Sequence, residues 1–230
     1  MRTASLAAAA AAMLAACGTL QGVASRGTDV DGGDAATSPP AEASSDASFD
    51  GGDEAPMGAD HPRYAFVTSA TYQPAVDFVS LETADDRCNE AAGQGDPSIQ
   101  GKKFLAWLSD SSASPSTRFV HSAAPYMRVT KGDTIAESWD DLVKRTVGAG
   151  QLAKKLDVTE SGMNVVSGGN APVWTATHAD GTPNITDDCS EWTAGTGAGA
   201  TGDATQQDSK WSDLGTESCA TRAHLYCFEK

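Results

Sequence analysis

Large apolar residues are scarce between Gly18 and Pro62 and become frequent from Arg63 onward. That break confines any hydrophobic core to residues 63–230, a length that suits one domain. Residues 18–62 are mostly Gly, Ala, Ser, Thr, Pro and Asp, and carry nine acids (Asp29, Asp31, Asp34, Glu42, Asp46, Asp50, Asp53, Glu54 and Asp60) against Arg26. Such a segment cannot bury enough surface to offset its ordering entropy. Self-repulsion extends it, so residues 17–62 read as a disordered acidic linker. Asp29-Val30-Asp31-Gly32-Gly33-Asp34 lacks the later glutamate of an EF-hand loop and belongs to that linker.

Met1-Arg2 is a short positive start, and Ala4 to Ala16 is almost wholly Ala, Leu and Met. This is the plan of a secretory signal, too short to stay as a membrane-spanning helix. It ends in Leu14-Ala15-Ala16-Cys17, which resembles the lipobox of bacterial lipoproteins. The resemblance implies removal of residues 1–16 and lipidation of Cys17, palmitate included. Several acyl chains on one cysteine anchor stably where one would be marginal. Gly18, where an Asp often retains lipoproteins in the inner membrane, points to the outer membrane. The expected localisation is the cell envelope, lipid-anchored at the outer membrane and surface-exposed. An ordinary secretory signal, with Cys17 incidental, is the plainer alternative.

The chain holds five cysteines. With Cys17 set aside, Cys88, Cys189, Cys219 and Cys227 remain, an even number that reads as two disulfides in an oxidising compartment. Spacing leaves all three connectivities open. None lies in a C-x-x-C pair, so zinc and thioredoxin chemistry are poor readings. A formal net charge of -15 repels nucleic acid and anionic polysaccharide.

Within 63–230, Tyr64–Thr68 reads as a first strand. Leu81, Ala84, Cys88 and Ala91 recur at helical spacing and predict a helix from Ser80 to about Ala92. Lys103–Leu108, Pro125–Val129, Pro172–Ala176 and Ala223–Phe228 read as strands, and Ser138 as the N-cap of a second helix with Asp141 reaching back. Gly195–Gly202 reads as a mobile Gly/Ala/Thr loop. Short, mostly antiparallel strands, about two helices and long loops without regular alternation predict an α+β fold.

Several segments together resemble the endostatin-like domain of the C-type-lectin-like superfamily. They are Asp86-Arg87-Cys88, Phe104–Ser109, Ala124–Met127, Ser138–Leu142, Val173-Trp174-Thr175, Cys189–Trp192, and Ser218-Cys219 through Leu225–Glu229. Their order and spacing carry the resemblance from about Tyr64 to the C-terminus. The seven residues between Cys219 and Cys227 match the final cysteine pair of lectin-like domains. The resemblance implies the pairs Cys88–Cys227 and Cys189–Cys219. It also implies kinship with bacterial outer-membrane lipoproteins built from a signal, a low-complexity stalk and one such domain, some of which bind extracellular proteins.

Heparin and zinc binding, known in endostatin, do not carry over. The domain has 14 Lys/Arg against 22 Asp/Glu, and its only basic pairs are Lys102-Lys103, Lys144-Arg145 and Lys154-Lys155. His61 is the sole histidine near its start. Calcium-dependent lectins frame a metal with Glu-Pro-Asn and Trp-Asn-Asp. Here Thr182-Pro183-Asn184 precedes Asp187-Asp188, and Trp211-Ser212-Asp213 follows, with Thr182 and Ser212 as departures. Asn184, Asp187, Asp188 and Asp213, with Asp180 more distant, are the candidate calcium ligands, though calcium needs six to eight oxygens. Polar loop residues are the simpler reading, and no cofactor is expected. Trp107, Trp139, Trp174 and Trp192 fall on framework positions and are expected in the core. Trp211, beside the glycine-rich loop, is the candidate exposed ligand-binding residue. No G-x-S-x-G, H-E-x-x-H or P-loop pattern occurs, and His224 reads as structural.

These readings predict a non-enzymatic surface module that binds protein or glycan ligands. The alternative is a structural envelope lipoprotein within a surface complex, without a soluble ligand.

Overall fold

The computed structural model describes residues 61–144, 151–165 and 169–230. The signal, Cys17, the acidic linker up to Asp60 and Arg145 lie outside the described residues. The fold is α+β, built on an eight-stranded mixed sheet. Its strands are β1 (Arg63–Val67), β2 (Phe104–Ala106), β3 (Tyr126–Arg128), β4 (Thr134–Ala136), β5 (Pro172–Trp174), β6 (Ala198–Asp203), β7 (Gly215–Ser218) and β8 (His224–Glu229). The described helices are α1 (Leu81–Gln94), a single turn α2 (Pro115–Arg118) and α3 (Trp139–Lys144). None is long and apolar enough to cross a membrane.

Strand order is β4-β3-β1-β8-β5-β6-β7, with β2 also on β8. The expected antiparallel bias holds for five pairings, while β1–β3 and β5–β8 are parallel. The last strand is the centre of the sheet. It pairs with β1 through Tyr226–Phe228, with β5 through His224 and Leu225, and with β2 through Cys227–Glu229.

Because successive strand residues face opposite ways, β8 divides the interior into two cores. Leu225 and Cys227 join Phe66, Phe104, Trp174 and Trp192 on one face. Tyr226 and Phe228 join Ala65, Val67, Trp107, Trp139 and Trp211 on the other. The first face is covered by α1 through Leu81, Ala84, Cys88 and Ala92. The second is covered by α3 through Trp139, Leu142 and Val143.

Helix α1 starts where its capping chemistry dictates. The Thr83 amide donates to Ser80 Oγ at 3.3 Å and the Ser80 amide donates to Thr83 Oγ1 at 3.0 Å, satisfying two donors the helix leaves open. Asp85 Oδ1 then accepts the Ala106 amide at 2.7 Å, and its carboxylate also pairs with Arg118, tying α1 to β2 and α2. At α3, Ser138 Oγ accepts the Asp141 amide at 3.1 Å as expected. Asp141 reaches back one residue further than Ser138, accepting the Glu137 amide at 2.8 Å.

Both disulfides are present. Cys88–Cys227 joins α1 to the central strand, and Cys189–Cys219 closes a shorter loop. The segment entering the second bridge is unusual. Cys189, Ser190, Glu191 and Trp192 have φ of 54°, 53°, 56° and 66°, four successive left-handed residues without a glycine. Each costs roughly 1–2 kcal/mol relative to the right-handed form. The Cys189 sulfur and the buried Trp192, whose Nε1 donates to the Ser109 carbonyl at 2.9 Å, hold the turn in place.

The expected mobile loop at 195–202 is instead largely strand β6. Its glycines serve close packing. A Cβ on Gly199 would lie 2.6 Å from Cys189 Sγ and 2.8 Å from the Trp174 ring, and one on Gly202 would lie 1.9 Å from the Trp211 carbonyl oxygen.

Candidate functional site

Trp211 is fully buried, which corrects its assignment as an exposed ligand-binding residue. It ends a short 3₁₀ turn, Ser209–Trp211. Its ring centroid lies 4.9 Å from that of Trp107 and 5.3 Å from that of Tyr226. The other four tryptophans are buried as the framework reading requires. Trp107 Nε1 donates to Ser212 Oγ at 2.7 Å, and Ser212 passes the bond to the Thr177 carbonyl. Ser212 is thus a core hydroxyl that satisfies an indole.

Of the candidate calcium ligands, the structure brings Asn184 and Asp213 together. The contact is a 3.4 Å approach of the Asn184 amide nitrogen to Asp213 Oδ1, so a donor rather than an oxygen faces the carboxylate. The other Asp213 oxygen lies 2.6 Å from His178 Nδ1. Asp188 accepts the Glu191 amide, and Asp180 accepts both the amide and hydroxyl of Thr182. Burial works against ionisation of Asp180, but the Thr182 bonds prevail and hold its pKa below the usual value. Among the described residues, no group of three or more His, Cys, Asp or Glu side chains is placed to hold a metal ion. Of the basic pairs, Lys102 lies against β8, its Nζ 2.6 Å from Glu229 Oε1. His224 Nδ1 lies 2.6 Å from the Thr68 carbonyl, a structural role, and burial pushes its pKa down.

The structure also shows a site that the sequence reading missed. A cleft of about 330 Å³ opens between α1 and the segment following β1. One wall is the exposed side of α1, with Arg87, Glu90, Ala91 and Gln94. The other walls carry Ser69, Ala70, Tyr72, Asp77 and Glu160. Local structure fixes each group. The Tyr72 backbone exchanges two hydrogen bonds with Ala223, at 2.7 and 3.0 Å. Glu160 is buried, its carboxylate accepting the Ser69 amide at 2.8 Å and the Ser69 hydroxyl. Its carbonyl accepts the Asp96 amide just beyond α1. Arg87 donates from Nε to the Asp77 carbonyl at 2.8 Å and from Nη1 to Glu90 at 2.9 Å. The Asp77 carboxylate accepts the Gln73 amide and pairs with Arg222. Burial, followed by the fields of Glu160 and Glu90, pushes the Tyr72 phenol up to about 12. The hydroxyl therefore keeps its proton throughout the physiological range.

Only the helical spacing of Arg87, Glu90 and Gln94 opposite the buried stripe could have signalled this cleft in advance. No protein-family model matches the chain, and no curated protein matches it.

Proposed function

We propose that this chain is an exported lipoprotein, tethered through lipid on Cys17, whose domain is endostatin-like, of the C-type-lectin-like superfamily, and binds protein or glycan ligands at the cell surface. The observation that carries this reading is the sulfur pairing. The four cysteines left after Cys17 close as Cys88–Cys227 and Cys189–Cys219, the connectivity implied by the resemblance. Both bridges are buried and suit an oxidising compartment. In the proposal, lipid sits at one end and an acidic spacer follows. A stapled domain whose loops are free to contact ligands completes the arrangement.

Labelling cells with a palmitate analogue tests the anchor. Wild-type protein should carry label and partition with membranes, and Cys17→Ser should lose both. Protease shaving of intact cells should then release peptides from 63–230, and the full chain should capture ligands on extracellular protein and glycan arrays. Blank arrays with one dominant envelope partner in crosslinking would instead favour a structural envelope lipoprotein.

A further inference from the structure

We infer that the cleft between α1 and the Ser69–Asp77 segment takes the ammonium of a lysine side chain presented by a protein partner. The inference rests on the ligand-binding reading above and names the chemistry by which the partner is held.

The first argument is a missing cation. The cleft is lined by three carboxylates, Asp77, Glu90 and Glu160, against the single guanidinium of Arg87. Arg87 faces Glu90, and Arg222 pairs with Asp77. Glu160 is only 8% exposed and, among the described residues, pairs with no cation. Its oxygens accept the Ser69 amide and hydroxyl alone. A buried carboxylate without a counter-charge is costly, and each of its oxygens keeps a further lone pair. The field of Glu160 reaches His224, but burial pushes the pKa of that ring down, so it carries no charge at physiological pH.

The second argument is that the same chain contains the completed arrangement. Glu229 is also buried, and its Oε2 accepts the Tyr64 amide at 2.9 Å. Lys102 Nζ lies 2.6 Å from Glu229 Oε1 and 5.4 Å from the centre of the Tyr64 ring. An ammonium so placed is attracted by both the carboxylate and the ring face. The cleft repeats the buried glutamate, the backbone amide and the tyrosine as Glu160, Ser69 and Tyr72, and lacks the lysine. Arginine suits it less well. A guanidinium fork pairs best with both oxygens of a carboxylate, and both Glu160 oxygens already hold Ser69 donors. A compact ammonium needs one lone pair.

The third argument concerns the source of the ammonium. The volume, about 330 Å³, lies at the small end of the range for small-molecule sites and suits one side chain. Val76 and Val79, on either side of the turn that carries Asp77 into the cleft, are 66% and 48% exposed. A polypeptide carrying the lysine would cover them and exclude water around the ion pair, which a small free amine cannot do. The formal net charge of -15 steers positively charged partners toward the domain.

The experiment is an NMR titration of the full chain in detergent micelles with the peptide acetyl-Leu-Lys-Leu-amide. Comparison probes are the same peptide with ε-acetyl-lysine, the same peptide with arginine, and n-butylamine. The lysine peptide should shift the amides of Ser69, Ala70, Ala91 and Gln94 with millimolar dissociation, and added salt should weaken it. The arginine peptide and n-butylamine should bind more weakly, and the acetylated peptide should leave these amides unmoved. Glu160→Gln should weaken the lysine peptide by about tenfold. Gln94→Lys, which supplies an ammonium from the cleft wall itself, should weaken it similarly and raise the melting temperature, an outcome that misfolding cannot imitate. Equal binding of the acetylated peptide would overturn the inference, as would lysine-peptide binding unchanged in both variants. Tighter binding of n-butylamine would assign the cleft to a free amine and overturn the protein source. If arrays yield a protein ligand whose capture neither variant changes, the cleft assignment fails while the ligand-binding reading stands. Blank arrays would sink the ligand-binding reading itself.

Discussion

Cys88 on α1 and Cys227 in β8 are bonded with their Cα atoms 5.5 Å apart across 139 residues of sequence. Nearly the whole domain is enclosed by this one bond. In the chain-entropy account, replacing the pair with alanines should destabilise the domain by about 4–5 kcal/mol, and replacing Cys189 and Cys219 by about 3–4 kcal/mol. Urea unfolding of the two double variants measures both. A cost under about 1 kcal/mol for the longer bridge would show that the unfolded chain is scarcely restrained by it.

All five tryptophans are buried. Native fluorescence should therefore be blue-shifted and resist iodide quenching, and unfolding should bring a red shift and full quenching. Trp211→Phe should destabilise the domain while leaving the quenching curve of the native protein flat. An iodide-accessible fraction that disappears in Trp211→Phe would place that ring in solvent and contradict its packing against Trp107.

Two glycines should respond in opposite directions to the same substitution. Gly202→Ala drives a methyl into the Trp211 carbonyl, so strand β6 and the second core must separate. The expected cost is about 2–3 kcal/mol, in the range for overpacking. A Cβ on Gly93, inside α1, meets nothing within 4 Å. Gly93→Ala should stabilise by about 0.5–1 kcal/mol through helix propensity and backbone entropy. Thermal melts of the two variants should move apart, and equal shifts would count against the packing of β6.

Acid should weaken the fold in two stages. Burial lowers the pKa of His224 below its ordinary 6.5, so the unfolded chain takes up that proton first. Its contribution is present above the unfolded value and is lost as pH falls through it toward the folded one. At Glu229, burial alone would raise the pKa, but Lys102, the Tyr64 amide and His61 outweigh it and hold it below 4.5. That stability is present above the unfolded value and disappears at lower pH, as the folded carboxylate protonates. Urea midpoints from neutral to mildly acid pH should fall for wild type and stay flatter for His224→Gln. An equal slope in the variant would remove His224 from the account.

The sequence was most legible where local chemistry and long-range packing agree. Ser80, Leu81, Ala84 and Cys88 announce α1 because the cap and the buried stripe belong to the same short stretch. Phe104–Leu108 and Leu225–Phe228 announce strands because they are apolar on both faces and both faces are buried. The misreadings share a cause. Gly199 and Gly202 resemble the residues of a flexible loop, yet they are small because Trp174 and Trp211 lie against them. With β6 hidden, Trp211 appeared to border open solvent. Strands β4 and β7 escaped because Thr134–Ala136 and Gly215–Ser218 are too short or too polar to show a pattern. The cleft was illegible because Tyr72, Arg87 and Glu160 come from separate segments, each with an ordinary local explanation.

The left-handed turn at Cys189–Trp192 gives the domain a dependence on its surroundings. A free chain of L-residues rarely visits four such conformations in succession, so this turn exists only while sulfur and indole restrain its two ends. The Trp192 carbonyl also accepts the Ala75 amide at 3.0 Å, and Ala75 itself has φ of 61°. The restraint thus extends to the segment that carries Asp77 into the cleft. Oxidation of Cys189 and Cys219 acts as a latch: where thiols stay reduced, this corner of the molecule loses one of its two fastenings, and its fold is completed only in a compartment that closes the bond.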